Sequence, residues 1–364
     1  MKPNHFAILL LLLSCFTVKS QTNKKLSRPE NDFETFWTTF KDNYAFFELK
    51  KVNWDETYKK FRPLVNSKTK EKEMISIFEK MVAPLKDGHI TISKGDKILY
   101  KVRKHSDFYE EFKGIEHQLW ETSYTTLQNH RFSKATGVGP AFKEIPLYNV
   151  AKNPDIGYIR ISRCFGNPES LFDDKKEKED IKLMLTLFDS ILNSFSDTKG
   201  IIIDIRSNGG GHGGDDLASR FALKKRITHY KTIRQKGGYE NFTTPEPIYI
   251  TPNSGIQYLK PIVILTNDRT ASSAEDFTIS LYQQQNVTTI GTNTSGMLSD
   301  MFGGDLSNNV SFTLSNQRYY STENKLLEDI GVPPKIEVKN TEKDIDNKKD
   351  PVIIKALETL KSQI

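Results

Sequence analysis

A short apolar run followed by a serine-containing turn constrains this chain more than any other feature. Residues 261–265 (PIVIL) are typical of a buried strand, and residues 277–281 (FTISL) resemble the start of a helix. The turn between them contains Ser272, with Glu275 three residues later, a spacing that fits a helix-capping box. It also fits a nucleophile, because a strand-to-helix turn lifts a hydroxyl out of the sheet beside free backbone N–H groups.

A glycine-rich loop, residues 204–214 (DIRSNGGGHGG), follows a second apolar run at residues 201–203. Five glycines in six residues are costly unless the backbone must approach another group closely. The loop lacks the Gly-Lys-Ser/Thr ending of a phosphate loop and the later acidic residue of a dinucleotide-binding fingerprint. We therefore interpret it as an anion-binding nest, in which the N–H groups of Gly209 and Gly210 stabilise a tetrahedral intermediate.

The order of apolar patterns indicates an α/β class. From residue 156 to residue 340 buried-strand runs alternate with amphipathic helical patterns. Earlier, Phe33, Phe36, Trp37 and Phe40 have the spacing of a helical core stripe. We divide the chain into a signal peptide (1–20), a linker (21–27), an N-terminal helical domain (28–94), a short strand-rich segment (95–155), an α/β core (156–340) and a C-terminal linker and helix (341–364).

Several short motifs occur in a fixed order along the chain. They are Leu-x-Asp-Gly-His at residues 85–89, Asp-x-Arg-x-Asn-Gly-Gly at 204–210, Ala-Ser-x-x-Glu at 271–275, Gly-x-x-Thr-x-Gly at 291–296 and Glu-x-x-Gly-Val-x-Pro at 328–334. In these residues the chain resembles the tail-specific, or C-terminal-processing, serine protease family. The resemblance covers most of the chain after residue 20. It implies a Clp/crotonase-like core of repeated β-β-α units behind the N-terminal helical domain.

The resemblance also implies roles for individual residues. Ser272 corresponds to the nucleophile, and the backbone N–H of Ser273 corresponds to a donor of the oxyanion hole. One branch of the family uses a lysine base at the position of Met297, whose thioether cannot accept the proton. The chain therefore resembles the branch of tricorn protease and interphotoreceptor retinoid-binding protein, in which His89 corresponds to the base and Glu328 to a further catalytic residue.

Each of these side chains also has an ordinary structural interpretation. A histidine after Asp-Gly is commonly a turn residue, and Glu328 fits a solvated loop acid. Gly88 departs from the tricorn pattern, which has a serine before its histidine. His212 is an alternative base, but it lies in the glycine loop, which is a poor place to fix a proton acceptor.

Composition excludes several other classes of function. The chain has 52 Lys and Arg against 46 Asp and Glu, but the basic residues are dispersed among acids, so we expect no nucleic-acid partner. Cys164 is the one cysteine after residue 20, which leaves no intrachain disulfide and no support for a metal site. We expect no cofactor. We also expect no PDZ domain within residues 95–155, and the oligomeric state stays open.

The first twenty residues have the pattern of a secretory signal peptide. A basic start at Lys2 precedes an apolar stretch at residues 6–16, and residues 18–20 approximate a cleavage site. This pattern predicts a periplasmic or extracellular protein, with lipidation at Cys15 as the alternative. No later segment is long enough to span a membrane.

Together these features predict a serine endopeptidase that hydrolyses peptide bonds in polypeptides through an acyl-enzyme intermediate. The alternative is a non-catalytic ligand- or peptide-binding protein on the same fold, because the retinoid-binding relative shows the fold used without evident protease chemistry.

Overall fold

A computed structural model of the protein describes residues 25–364. The expected signal peptide, Cys15 and the first four residues of the expected linker lie outside this part of the chain. Within it, no helix is long and apolar enough to cross a membrane. The helices of residues 25–364 are α1 (Arg28–Asn43), α2 (Trp54–Phe61), α3 (Glu71–Val82), α4 (Asp107–Glu111), α5 (Glu116–Asn129), α6 (Asp174–Ser194), α7 (Gly214–Ser219), α8 (Ser273–Tyr282), α9 (Glu342–Asp346) and α10 (Pro351–Lys361).

The strands form three sheets. They are β1 (Thr91–Lys94), β2 (Lys97–Lys101), β3 (Thr136–Phe142), β4 (Ile145–Lys152), β5 (Ile156–Ile161), β6 (Gly200–Asp204), β7 (Arg226–Ile233), β8 (Glu246–Ile250), β9 (Ile262–Thr266), β10 (Val287–Gly291), β11 (Met301–Asp305), β12 (Val310–Ser315), β13 (Gln317–Ser321) and β14 (Ile336–Glu337). The largest sheet has the order β14-β10-β9-β6-β5-β4-β3, a second sheet is β11-β12-β1-β2, and the third is β13-β7-β8.

The centre of the seven-stranded sheet is parallel and buried on both faces. Strands β5, β6, β9 and β10 pair in parallel, and every residue of β5, β6 and β9 is buried. Ile203 and Ile264 pack under α6, α7 and α8, whereas Ile202 and Val263 face α10. Helices therefore cover both faces, which explains why these strands read as continuous apolar runs.

The parallel pairing of β6 with β9 brings the two functional loops together. Asp204, the last residue of β6, is in register with Leu265, near the end of β9. Because parallel strands end at the same edge of a sheet, the glycine loop after β6 and the serine turn after β9 emerge side by side.

The N-terminal helices pack against the second sheet through aromatic rings. The ring of Phe36 in α1 lies 4.0 Å, centroid to centroid, from Phe78 in α3 and 4.7 Å from Phe312 in β12. That sheet pairs β1 and β2 with β11 and β12. The boundary predicted at residue 94 therefore falls between β1 and β2 of this sheet, and the one at residue 155 falls between β4 and β5 of the seven-stranded sheet. The segment 95–155 contains α4 and α5 in addition to strands.

A buried ion network ties the glycine loop to the C-terminal helix. The Arg206 guanidinium donates to both carboxylate oxygens of Asp204, at 2.9 and 2.6 Å, and to Asp350 Oδ2 at 2.9 Å. Asp350 in turn accepts from the first N–H groups of α10 as its N-cap. All three side chains are at most 1% exposed, so removing one partner would leave an uncompensated buried charge.

Candidate active site

Ser272 lies at the sharp turn between β9 and α8. Its backbone has φ 54° and ψ −127°, a region that L-residues other than glycine rarely adopt and that costs about 1–3 kcal/mol. Its N–H donates to the carbonyl of Met297 at 3.0 Å and lies 3.2 Å from Glu275 Oε2. Ser272 and Glu275 have the expected arrangement of a capping box, but the hydroxyl makes no side-chain cap hydrogen bond to α8. The turn thus has the strained geometry of a nucleophile elbow, and its hydroxyl is not used as a helix cap.

Glu275 fastens the neighbouring loop to this turn. Its carboxylate, fully buried, accepts from Thr294 Oγ1 at 2.6 Å and from the N–H groups of Gly296 and Met297, each at 2.8 Å. Burial raises the pKa of Glu275 above its ordinary value, and these hydrogen bonds, which favour the ionised form, offset only part of that increase. The sequence indicated Glu275 only as a capping partner and family marker. The structure adds that it fixes residues 294–297 beside Ser272.

The glycine loop approaches the serine turn too closely for any side chain at position 210. Gly210 has φ 94°, and a Cβ there would lie 2.7 Å from both the Ala271 carbonyl oxygen and Ser272 Cβ. Gly209, in contrast, has open space around its Cα. The loop therefore lies directly against the candidate nucleophile.

The expected oxyanion donors differ in whether their N–H groups are already bonded. The N–H of Gly210 donates to Asn208 Oδ1 at 2.9 Å. Those of Gly209 and Ser273 have no acceptor among residues 25–364. In this conformation Gly209 and Ser273 are the available donors, and Gly210 shapes the loop.

His89 lies between Lys86, which has the left-handed backbone conformation, and strand β1, which begins two residues later at Thr91. Its N–H donates to Asp87 Oδ1 at 2.9 Å, and its Nδ1 lies 3.3 Å from Ser315 Oγ. The side chain is buried, and this burial lowers the pKa of the imidazole. A neutral imidazole is the form that accepts a proton. Within residues 25–364, no hydrogen bond joins His89 to Ser272.

Met297 connects the histidine segment to the serine turn. Its carbonyl holds the N–H of Ser272, and its thioether lies against Gly88, where an added Cβ would be 2.6 Å from Met297 Cε. Two departures from the family pattern therefore fit each other: a methionine at the lysine position occupies the space that a side chain at position 88 would need.

Glu328 lies in a buried group of oxygens rather than in solvent. It is 2% exposed, and burial, with the charge of Asp87 adding to it, raises its pKa well above the ordinary value. Glu328 Oε1, Asp87 Oδ2 and the Tyr44 hydroxyl are buried without a partner among the described residues. Burial thus favours the protonated form of Glu328. It makes no direct hydrogen bond to His89 within residues 25–364.

His212, the alternative base, is engaged elsewhere. Its Nε2 lies 3.0 Å from Asp180 Oδ2 and 3.4 Å from Ser170 Oγ. These contacts connect the glycine loop to α6. Asp87, Tyr44 and Ser315 were not expected at the site. Asp87 was noted only as part of the Leu-x-Asp-Gly-His motif, and Ser315 lies 226 residues from His89 with no sequence signal.

An open cleft of about 480 Å³ lies in front of these elements. Gly88, Gly209, Ala271 and Met297 are among the residues that line it. Among residues 25–364, no group of three or more His, Cys, Asp or Glu side chains is placed to hold a metal ion. Ala271, which lines the cleft, immediately precedes the strained Ser272, and Gly88, which also lines it, immediately precedes His89.

Comparison with solved structures supports this fold. The crystal structure of a protein described as a candidate peptidase from Parabacteroides merdae is 25% identical, with a TM-score of 0.70, over 92% of this chain and 97% of that one. Tricorn protease has a similar fold, with a TM-score of 0.54 and 15% identity, over 92% of this chain and 36% of its own. The expected α/β fold with an N-terminal helical region is confirmed.

Sequence relatives point to the same family. A carboxyl-terminal-processing protease from Synechocystis is 27% identical over 139 residues, or 37% of this chain. The match spans only 30% of that protein, and a match to an uncharacterized protein from Chlamydia muridarum spans only 21% of it. Residues 28–83 match the tricorn protease C1 domain, which confirms the resemblance stated from the motifs. Residues 155–338, slightly more than half of the chain, match Peptidase family S41, and the chain belongs to that family.

Proposed function

We propose that the protein is a serine endopeptidase that cleaves polypeptides through an acyl-enzyme intermediate. The observation that carries the proposal is the backbone of Ser272, strained at φ 54° and ψ −127° in a turn that leaves its hydroxyl uncapped. Strain of this kind persists where surrounding structure enforces it, and it clusters at functional sites. Membership of the S41 family supports the same reaction class.

In the proposed mechanism, Ser272 Oγ attacks the carbonyl carbon of the scissile peptide bond. His89 accepts the hydroxyl proton at Nε2, because Nδ1 faces Ser315 Oγ, and then donates it to the leaving amine. The N–H groups of Gly209 and Ser273 stabilise the oxyanion. Water, activated by the same imidazole, then hydrolyses the ester. The catalytic hydrogen bond between Oγ and Nε2 forms when substrate fills the cleft, since such bonds are often long in free enzymes.

Glu328 has a supporting place in this proposal. Because burial and the charge of Asp87 raise its pKa, we assign it the role of a neutral buried acid near Asp87. A role as a counterion to a protonated His89 would require an ionised carboxylate and fits this environment less well.

The proposal includes export from the cytoplasm. Its support is the sequence pattern of residues 1–20. A mature chain that begins at Gln21 in a periplasmic or culture fraction would agree with it, and a lipid attached to Cys15 would contradict simple cleavage.

A non-catalytic binding protein is the second candidate, because no hydrogen bond joins His89 to Ser272 in residues 25–364. Labelling with a small, neutral fluorophosphonate probe separates the two. We expect covalent labelling at Ser272, located by peptide mass spectrometry, and none in Ser272→Ala. The matched control is Ser273→Ala, which removes a neighbouring hydroxyl and should still label. An unlabelled wild-type protein that is folded would refute the peptidase.

A further inference from the structure

The cleft lined by Ala271, the residue before Ser272, carries an excess of positive charge. The cations that line it are Lys101, Arg103, Lys104 and Arg269. His105 lines it too, with its Nε2 2.8 Å from Asp107 Oδ1. One carboxylate, that of Asp268, lines the same cleft. Lys101, Arg103 and Lys104 stand in a stretch, residues 97–106, that contains no acidic residue.

Three of these cations have no carboxylate partner. Within residues 25–364, Lys101, Arg103 and Arg269 make no ion pair. Lys104 differs, because its Nζ is bonded to the Gly296 carbonyl at 2.9 Å and to Asp329 Oδ1 at 3.1 Å. Uncompensated cations that share one concave surface concentrate positive potential there and attract a negatively charged ligand.

The single acid of the cleft does not neutralise this charge by direct pairing. Asp268 Oδ1 accepts from Ser106 Oγ at 2.9 Å, and Oδ2 accepts from the N–H of Phe108 at 3.3 Å. Both bonds anchor the start of α4 to the turn after β9. The Asp268 carboxylate therefore fixes the segment that follows Lys104 and does not pair with an arginine.

Arg269 is held in place three residues before Ser272. Its backbone N–H donates to Asn267 Oδ1 at 3.1 Å, and its guanidinium lies 5.3 Å from the ring centroid of Tyr109. The guanidinium makes no hydrogen bond among residues 25–364, so its N–H groups are free to donate two parallel hydrogen bonds to a carboxylate. A planar anion bound there would lie within a few residues of the attacked peptide bond.

We infer that this cationic cleft binds an acidic side chain, Asp or Glu, of the polypeptide substrate close to the scissile bond, with Arg269 as the main anchor. The inference rests on the proposed peptidase function for its consequence in turnover. Binding of the acidic peptide is a separate property of the cleft, and it can be measured without cleavage.

The test uses internally quenched peptides with amidated C-termini. The two peptides of each pair differ at one position, which is Glu in one peptide and its neutral isostere Gln in the other. This position is varied from three residues before the cleaved bond to three residues after it. At 50 mM salt we expect the best Glu peptide to exceed its Gln partner in kcat/KM by about tenfold, which is the order that a few partly exposed charge pairs supply. At 500 mM salt the ratio should fall towards one.

Variants assign the effect to the cleft. Arg269→Gln should reduce the Glu-to-Gln ratio to about two, and Arg103→Gln should reduce it less. Arg131→Gln is the matched control, since Arg131 is exposed and lies outside the cleft, and it should leave the ratio unchanged. Equal ratios in Arg269→Gln and Arg131→Gln would overturn the assignment.

A third peptide identifies the source of the carboxylate. It carries Gln throughout but has a free C-terminal carboxylate. If this peptide alone is favoured over its amidated form, the cleft reads chain termini and the inference of an acidic side chain is wrong.

Fluorescence anisotropy with Ser272→Ala separates the inference from the peptidase proposal. If Ser272→Ala binds the Glu peptide more tightly than the Gln peptide, and Ser272→Ala/Arg269→Gln does not, the inferred acidic-side-chain site is supported. This holds even if the wild type neither cleaves peptides nor reacts with the probe. Labelled, active wild type with a Glu-to-Gln ratio of one refutes the cleft and leaves the peptidase proposal standing.

Discussion

Gly210→Ala should damage both the fold and the reactivity of Ser272. The new Cβ would lie 2.7 Å from the Ala271 carbonyl oxygen, 2.7 Å from Ser272 Cβ and 3.0 Å from the N–H nitrogen of Ser273. These neighbours are backbone atoms or are attached directly to backbone, so no flexible side chain can move aside. The serine turn itself must shift.

Two costs add in this variant. A positive φ, here 94°, costs an L-residue about 1–2 kcal/mol, and forcing a packed region to move costs about 1–3 kcal/mol more. We expect the free energy of unfolding to fall by about 2–5 kcal/mol. The same shift displaces the Ser273 N–H from the oxyanion position, which should slow fluorophosphonate labelling by about 10²–10³-fold.

Gly209→Ala is the matched control one residue away. Its Cβ would meet nothing within 4 Å, and its N–H stays in place. Urea denaturation and the labelling rate should therefore stay close to those of the wild type. Equal stability and equal labelling rates for the two variants would refute the close approach of the glycine loop to Ser272.

Three further expectations concern the buried polar groups. Ser273→Ala should still be labelled, but its free energy of unfolding in urea should fall by about 1–3 kcal/mol, because the Gly214 N–H loses its acceptor, Ser273 Oγ, at 2.9 Å. Loss of labelling in this variant would instead identify Ser273 as the nucleophile. His89→Ala should slow labelling by about 10²–10⁴-fold, whereas His212→Ala should not. Because burial lowers the pKa of His89, the labelling rate of the wild type should fall only below pH 6.5, and a fall that begins above pH 7 would contradict this. In the same range the unfolded chain takes up a proton at His89 before the folded protein does, so the stability of the fold should decrease as pH falls. Burial raises the pKa of Asp276 to about 8, so this side chain is protonated in the folded protein but ionises near pH 4 in the unfolded chain. Asp276→Asn should therefore become progressively more stable than the wild type as pH rises from about 4 to about 8. A difference in urea denaturation that does not change with pH would count against it.

Much of the fold was predictable because its apolar patterns are local. The continuous runs at residues 201–203 and 261–265 predicted buried strands, and both lie in the parallel centre of the sheet. The spacing of Phe33, Phe36 and Phe40 predicted the first helix, where all three are buried. In these elements the residues that face the core are the apolar ones, so the sequence pattern and the packing agree.

Helix α5 was not predicted, because the side of the helix that faces the protein interior carries polar residues. Ser123 and Thr126 are buried, and both bond to Asp350, through Ser123 Oγ at 2.6 Å and from the Asp350 N–H to Thr126 Oγ1 at 2.9 Å. A hydroxyl that binds a distant carboxylate reads as a surface residue in the sequence. The apolar stripe of α5 is therefore interrupted, and its period is hidden.

The candidate site was predictable in its residues but not in its contacts. Motif order indicated Ser272, His89 and Glu328, whose catalytic roles stay predictions. It could not indicate that Met297 fills the space beside Gly88, because that contact joins residues more than two hundred positions apart. Nor could it show that Asn208 already holds the Gly210 N–H, since an asparagine in a glycine-rich loop is expected from turn preference alone.

The ion network of Arg206 also sets an order in time. Asp350 lies 144 positions after Arg206, so a ribosome working at about 5–20 residues per second adds it roughly 7–30 s later. During that interval the nascent guanidinium has Asp204 but lacks its second carboxylate, and the face of the sheet under α10 is bare. We expect the glycine loop to reach its final shape only after residues 350–361 emerge and dock. A growing chain would thus stay without hydrolytic reactivity until its synthesis passes this point.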